Sequence, residues 1–405
     1  MRITYAVLHA YGMGGTIRTV VNQANAMAAA GHDVRLASVV RRRTEPQFAI
    51  DPRVRLVDVV DQREASRNAR APRAREGRLW RRTCEAADTE AEPGVEVPAG
   101  EAAKEVFTRA VERAFAAFLR DLDDDVVVTT RPGLNLLAAW HAPERLVRVA
   151  QDHMHLGRYK PEVRAAIVES YPRLDAVVSL TSRDRAEYDE ALAGRVRTER
   201  IPNPLHSLDV PRTGHSSRVV AAAGRLTAQK GFDLLIPAFA QVAARHPDWR
   251  LHIYGAGKAE KRLRKLVHRH HLYNHVLLMG STSQLDTELA KASIYTLSSR
   301  FEGFPMILLE ALNCGLPVAS FDCPTGPREV IVDGVNGLLV PPEDGPGLAA
   351  AICRLIEDEP LRRRLGAAAR ETAAEYGPEA MRGRWETLLA DLLQRKSSLG
   401  QAMVL

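Results

Sequence analysis

Two glutamates, Glu302 and Glu310, stand eight positions apart in the stretch RFEGFPMILLEALNCGLPVAS, residues 300–320. Residues 305–313 read as a helix, because proline is tolerated at the first helical position and Ile307, Leu308, Ala311 and Leu312 recur at helical spacing. Gly315 ends it, and Leu316-Pro317-Val318-Ala319 begins an extended apolar run. Glu302 falls in the loop before the helix. Glu310 falls inside it, about 7.5 Å beyond Pro305 at ~1.5 Å of rise per residue, so the two carboxylates are expected at different depths. Gly303 permits unusual backbone angles, and the amides of Phe304, Met306 and Ile307 are expected to be free at the helix N-terminus, which suits an anion. A ligand with a phosphate at the helix start and hydroxyls on either side matches this layout. In a chain with 50 acidic residues the spacing alone equally describes a capping glutamate and a solvated helical one.

Other residues with chemistry lie at the ends of expected strands. A strand at 146–150 delivers Gln151-Asp152-His153-Met154-His155 to the ligand-binding edge of an open α/β sheet. His153 is the first choice there, His155 and Asp152 compete with it, and an ordinary packing histidine is the bland alternative. A strand at 3–8, the loop HAYGMGG, an alanine-rich helix at 16–30 and a strand at 34–40 make a βαβ unit. Gly12, Gly14 and Ile17 give G-x-G-x-x-I, without the third glycine of a dinucleotide fingerprint. Arg41-Arg42-Arg43 follows the second strand where an acid would hold a ribose. Arginines there suit NADP, so an NADP-dependent oxidoreductase is the alternative from another enzyme class. Asp123-Asp124-Asp125 precedes a strand at 126–130 and reads as a polar turn, and no metal is expected. Cys323, with no base assigned beside it, reads as a neutral thiol.

The run EGFPMILLEALNCGLPV resembles the E-x7-E motif of retaining family-4 glycosyltransferases with the GT-B fold. The resemblance implies that Glu302 contacts the donor sugar hydroxyls, that Glu310 holds the nucleotide ribose, and that the amides from Gly303 to Ile307 meet sugar and diphosphate. AAGRLTAQKGF resembles the family's diphosphate segment, which puts Arg225 and Lys230 on the leaving group; two fixed cations there would stabilise developing negative charge. Gly14 and Gly15 occupy the place of the Gly-Gly pair that admits donor phosphates and acceptor, with a plain tight turn as the alternative. His153 takes the place of the histidine near the reaction centre, and the loop after Met279 that of the base. Gly326-Pro327-Arg328-Glu329 resembles a subgroup concerned with cell-surface polysaccharide or teichoic-acid-like polymers. The activity implied is transfer of a sugar from a nucleotide diphosphate sugar such as a UDP-sugar to an acceptor hydroxyl, with retention. The donor is a substrate, and no cofactor is implied. A nucleotide-sugar epimerase of the same fold is the nearer alternative.

The elements that must position these residues alternate strand and helix throughout. The expected class is α/β, of GT-B type, with two Rossmann-like domains facing a cleft. Residues 1–203 would form the acceptor domain, 204–378 the nucleotide-sugar domain, and 379–405 a helix returning to the first. Ile201-Pro202-Asn203-Pro204-Leu205 cannot continue a helix and serves as the linker. Helices are expected at 105–122, 183–193 and 258–271, with three more in 342–393, and Trp385 lies on the last. An irregular insertion of low order is expected at about 61–104, where basic residues from Arg63 to Arg82 precede an acidic half. It reads as a solvated loop or as a contact with an anionic membrane surface or acceptor. Nucleic acid is not an expected partner, because no recognition module is visible. The four cysteines have no pairing or metal spacing, and no secretory h-region or bilayer-length apolar stretch is seen. A cytoplasmic protein is expected, with a peripheral place at the inner face of the membrane as the open variant, and its acceptor a sugar, lipid-linked or polymer hydroxyl. The formal charge of +6 suits anionic ligands.

Overall fold

The computed structural model describes residues 1–63 and 92–402. The chain folds as two units, Met1–Pro204 with Met381–Leu405, and Leu205–Ala380. In the first, seven strands, β1 (Arg2–Val7), β2 (Asp33–Arg41), β3 (Arg55–Asp61), β4 (Val126–Thr129), β5 (Val147–Gln151), β6 (Ala176–Ser179) and β7 (Arg197–Arg200), form a sheet of order β3-β2-β1-β4-β5-β6-β7. In the second, β8 (Val219–Ala223), β9 (Arg250–Tyr254), β10 (Val276–Gly280), β11 (Ile294–Leu297), β12 (Val318–Phe321) and β13 (Gly337–Val340) form a sheet of order β10-β9-β8-β11-β12-β13. Every pairing is parallel. Parallel sheets need helices on both faces, which is why the central strands read as unbroken apolar runs: all four residues of β4, β6, β11 and β12 are buried. The order reverses between β1 and β4 and between β8 and β11. Each sheet therefore has a switch point at which loops diverge and leave a crevice at the strand carboxyl ends.

Apolar periodicity singles out neither β3, RLVDVVD, nor β7, RTER. Both are edge strands, where charged residues are tolerated and blunt unwanted pairing. The expectation of low order across 61–104 does not hold at its ends. Asp61 closes β3 and pairs with Arg63 at 2.6 Å. Residues 92–103 have no regular helix or strand but are pinned by two buried carboxylates. Glu112 accepts the amides of Val95, Glu96 and Val97 at 2.9, 3.2 and 3.1 Å. Glu101 pairs with Arg131 and accepts the amide of Gly133, so it caps the helix Pro132–His141 from a distant loop. The basic run beyond Arg63, with Cys84, lies outside the described residues. The helix expected from residue 105 begins only at Arg109, because Thr108 caps it by accepting from Val111 N at 3.3 Å. The three aspartates sit at the amino end of β4. Asp124 accepts from Thr4 and pairs with Arg35 at 3.1 Å, and Asp125 accepts the Arg2 amide at 2.8 Å, so they form a polar turn at the sheet edge away from the switch point. No helix among the described residues is long and apolar enough to cross a membrane.

The last helix, Pro378–Ala402, lays Met381, Trp385, Leu388, Leu389 and Leu392 into the core formed by β1, β4, β5 and β6. Polar contacts fix its register: His32 to Glu386 at 3.0 Å, Arg197 to Asp391, and Lys396 to Asp175 at 3.0 Å. Trp385 is 1% exposed and is the largest fully buried side chain among the described residues. Trp385→Ala should cost the first unit about 3–5 kcal/mol, as a truncated core tryptophan usually does. Urea unfolding followed by a probe in that unit checks this, and a change below about 1 kcal/mol would show that the helix is not part of its core.

Candidate functional site

In the second unit the loops leaving β8 and β11 are sewn together. Arg300 N donates to Gln229 O at 2.8 Å, Gln229 Nε2 to Phe301 O at 3.1 Å, and Ser298 Oγ to Lys230 O at 3.0 Å. The Arg300 guanidinium reaches Ala228 O at 2.7 Å and both carboxylate oxygens of Asp233 at 2.9 and 3.1 Å. Gly231 is required at this seam. Its φ is +62°, and a Cβ would lie 1.9 Å from Ser298 O. The stitching delivers Lys230 Nζ to Glu302 Oε1 at 2.7 Å, with side chains only 14% and 7% exposed. Ser299 Oγ donates to the same oxygen at 2.5 Å. Lys230 and Glu302, given separate ligand contacts by their motifs, are thus one charged pair. Arg225 is exposed on the same loop, and no carboxylate among the described residues lies within ion-pair distance of it.

The loop after Glu302 is shaped by its neighbours. Thr325 Oγ1 donates to Glu302 O at 2.5 Å, and Gly326, at φ +98°, backs onto the loop so closely that a Cβ would lie 2.7 Å from Gly303 O. The helix begins at Met306, with Pro305 outside it at φ −84° and ψ 79°. This corrects the expected start by one residue. It also corrects the set of free amides, because Met306 N donates to Phe304 O at 3.0 Å across the turn that the proline makes. The Phe304 ring packs 5.9 Å from Tyr376, and Gly303, Met306 and Ile307 are half-buried. Leu308, Leu309 and Leu312 anchor the helix in the core. Glu310 is half-buried on that helix. Burial, and then the carboxylates of Glu302 and Glu310, raise the phenol of Tyr295 on β11. Cys323 is buried, and burial followed by the Glu302 charge pushes its thiol up to about 12, so it is no nucleophile.

At the carboxyl ends of the first sheet, Gly14 precedes the helix Gly15–Ala29, and both glycines are exposed, with no atom within 4 Å of a Cβ placed on Gly15. Crowding falls instead on Gly12, whose Cβ would meet the His9 ring at 2.2 Å. Packing therefore explains Gly12 but not Gly15. Of the three polar groups after β5, two are committed to the framework. His155 pairs with Asp184, the residue whose amide is accepted by Thr181 Oγ1 at 3.0 Å. Asp152 is fully buried and accepts from Tyr188 at 2.5 Å, Tyr171 at 3.0 Å, Asn135 at 3.2 Å and Tyr159 at 3.4 Å. Burial pushes its carboxyl up to about 6, against the lowering effect of the tyrosine hydrogen bonds. His153 remains. Its Nε2 is buried without a hydrogen-bond partner, and burial takes its pKa down to about 4, so the ring is neutral near pH 7.

Sequence reasoning missed Gln229, Asp233, Ser299, Arg300 and Thr325, which build the seam, and Asn135, Tyr159, Tyr171 and Tyr188, which hold Asp152. No local signal marks them, since each acts on a residue distant in sequence or through an ordinary hydroxyl. Among the described residues no group of three or more His, Cys, Asp and Glu is placed to share a metal ion.

Solved structures of similar fold span nearly the whole chain. TarM of Staphylococcus aureus, solved with UDP, matches with a TM-score of 0.71 over 96% of this chain and 100% of that one, at 16% identity. Sucrose-phosphate synthase of Thermosynechococcus elongatus matches with a TM-score of 0.74 over 98% and 100%, at 18% identity. The architecture is GT-B. Residues 209–372 match the family described as glycosyl transferases group 1. An exopolysaccharide phosphotransferase of Streptomyces coelicolor is 34% identical over 404 residues, 98% of this chain and 41% of that protein. The amylovoran biosynthesis glycosyltransferase AmsD of Erwinia amylovora is 30% identical over 245 residues, 59% of this chain and 68% of that protein. The chain thus spans about two fifths of the first relative's length and two thirds of the second's. It belongs to the group 1 glycosyltransferases. The NADP-dependent oxidoreductase alternative falls with that membership.

The Asp152 carboxyl supplies a test of the first unit. Its pKa is higher folded than unfolded, so its share of stability is full below about pH 4 and is lost as the pH rises through about 6. Asp152→Asn lacks this proton. The stability of the wild type relative to the variant should rise by about 2–3 kcal/mol from pH 7 to pH 4, since each tenfold change in proton affinity is worth about 1.4 kcal/mol. Denaturant unfolding at the two pH values measures it, and a constant difference would mean that the carboxyl titrates normally.

Proposed function

We propose that the chain is a retaining glycosyltransferase of family 4 that moves a sugar from a UDP-sugar to a hydroxyl of a cell-surface polymer or lipid-linked acceptor. The observation that carries this reading is the buried Lys230–Glu302 pair at the β8/β11 switch point, one helical segment from Glu310. A nucleoside diphosphate sugar has the parts that such a site can recognise. Its diphosphate lies against Lys230 and Arg225, its sugar hydroxyls against Glu302 and the loop from Gly303 to Ile307, and its ribose against Glu310. The donor is held by the second unit.

In the reaction the acceptor oxygen bonds to the anomeric carbon as the bond from that carbon to the diphosphate breaks. The acceptor proton passes to a leaving phosphate oxygen, and attack on the departing face gives retention. Lys230, held close to Glu302 before the donor arrives, stabilises the growing charge without reorganisation. A neutral His153 fits an uncharged hydrogen-bonding role toward a sugar hydroxyl. UDP in the TarM complex, together with polymer-directed relatives such as the poly(glycerol-phosphate) glucosyltransferase of Bacillus subtilis, supports the choice of donor and acceptor class. Mass analysis of the product separates transfer from epimerisation and from movement of a sugar phosphate.

Lys230→Ala and Arg225→Ala should each lower turnover about 10²-fold or more. Arg225→Ala, at an exposed position, should leave the thermal midpoint near that of the wild type, whereas Lys230→Ala strands the buried Glu302 carboxylate and should lower it. Steady-state kinetics on purified variants would show it, and unchanged rates in both would remove the diphosphate from this loop. The two glutamates should separate in calorimetry. Glu310→Gln should weaken UDP and UDP-sugar alike, because the ribose is common to both. Glu302→Gln frees Lys230 from its counter-charge, so free UDP should bind at least as tightly while turnover falls, an effect confined to sugar and transition state. Equal weakening of UDP by both variants would show that the donor pose is wrong.

A further inference from the structure

The helix Glu260–Arg269 carries a row of charge that the site does not use. Its inner side is fixed, since Leu263 and Val267 are buried in the core of the second unit, with Leu266 packed beside them. The opposite side exposes Lys261, Lys265 and Arg269, spaced i, i+4 and i+8 along about 12 Å of one face. Arg264 is answered by Glu260 at 2.8 Å and Arg262 by Asp233 at 3.5 Å. Among the described residues no carboxylate lies within 4 Å of the amine or guanidinium groups of Lys258, Lys261, Lys265 or Arg269. Just past the helix, Tyr273 is 58% exposed, with its ring 6.1 Å from that of His268.

This row works against its own helix. Like charges at i and i+4 repel, and Lys261 sits in the first turn, where the helix dipole disfavours a cation. The second unit itself offers these three residues nothing in return, so an external anion is the natural counterpart. Beyond the row stands an exposed amphipathic ring, Tyr273, of the kind that settles at a membrane interface. We infer that the Lys261–Lys265–Arg269 face docks the second unit on an anionic lipid surface. Such docking requires no particular donor or acceptor.

The test is co-sedimentation of the full chain with phosphatidylcholine vesicles, with and without phosphatidylglycerol. The wild type should bind only the anionic vesicles and should release as salt shortens the screening length below its ~8 Å at physiological ionic strength. The triple variant Lys261→Glu, Lys265→Glu, Arg269→Glu should bind about tenfold more weakly or worse, given the contribution of each basic residue near an anionic surface. Its UDP affinity and thermal midpoint should stay at wild-type values. If the reversed charges unfold it, the Gln versions at the same positions must show the same loss. Wild-type binding to anionic vesicles by a folded variant would overturn the proposal, as would equal binding to both vesicle types. So would a variant-sensitive affinity for soluble polyphosphate with none for vesicles, which would assign the face to a polymer.

Discussion

The second unit depends on one contact made at a cost, the burial of Lys230 against Glu302. Removing an ammonium and a carboxylate from water is unfavourable, and their attraction offsets this only where the geometry is good and further hydrogen bonds complete it. The seam supplies both. One backbone bond and three side-chain-to-backbone bonds between the segments 228–231 and 298–301 hold the loops in register, Ser299 adds a second donor to the carboxylate, and Arg300 clamps the start of the helix Phe232–Arg245 through Asp233. Such a pair contributes little to net stability. It holds a cation and a carboxylate in fixed positions at the mouth of the sheet before any ligand arrives, and Gly231, Gly326 and Thr325 are where they are because the loops must approach this closely.

The first unit solves a related problem without a cation. Asp152 is as buried as Glu302, yet it is held by three phenols and an amide, so its charge stays expensive and its proton affinity rises. Neutral donors stabilise a carboxylate less than an ammonium does. The network is rigid, with Tyr171 and Tyr188 stacked 6.2 Å apart, and it carries the loop on which His153 stands. The neighbouring polar groups are thereby consumed by structure, and His153 keeps a buried nitrogen without a partner.

Where sequence reading went astray, the reasons are physical. Edge strands β3 and β7 carry the charges that edges tolerate, so their pattern resembles loop. Residues 92–103 are polar and irregular, and long-range contacts make them part of the fold: Glu112 reaches in from the following helix, and their own Glu101 reaches out to Gly133. The missing amide at Met306 follows from Pro305 turning the chain before the helix rather than inside it, a choice that one residue's type leaves open.

The sequence by itself determined what is local and periodic. Strand and helix alternation, the parallel class, the loop and helix holding Glu302 and Glu310, and the glycine after Lys230 are all legible, because each rests on neighbours within a few positions. Tertiary structure decided which charges meet. Lys230 and Glu302 are 72 positions apart and Asp152 and Tyr188 36, and nothing along the chain distinguishes these partners from other lysines and tyrosines. Lys230 and Glu302 meet because β8 and β11 adjoin at a switch point, and Asp152 and Tyr188 because β5 and β6 lie side by side; burial then makes every unpaired polar group costly enough to select one partner.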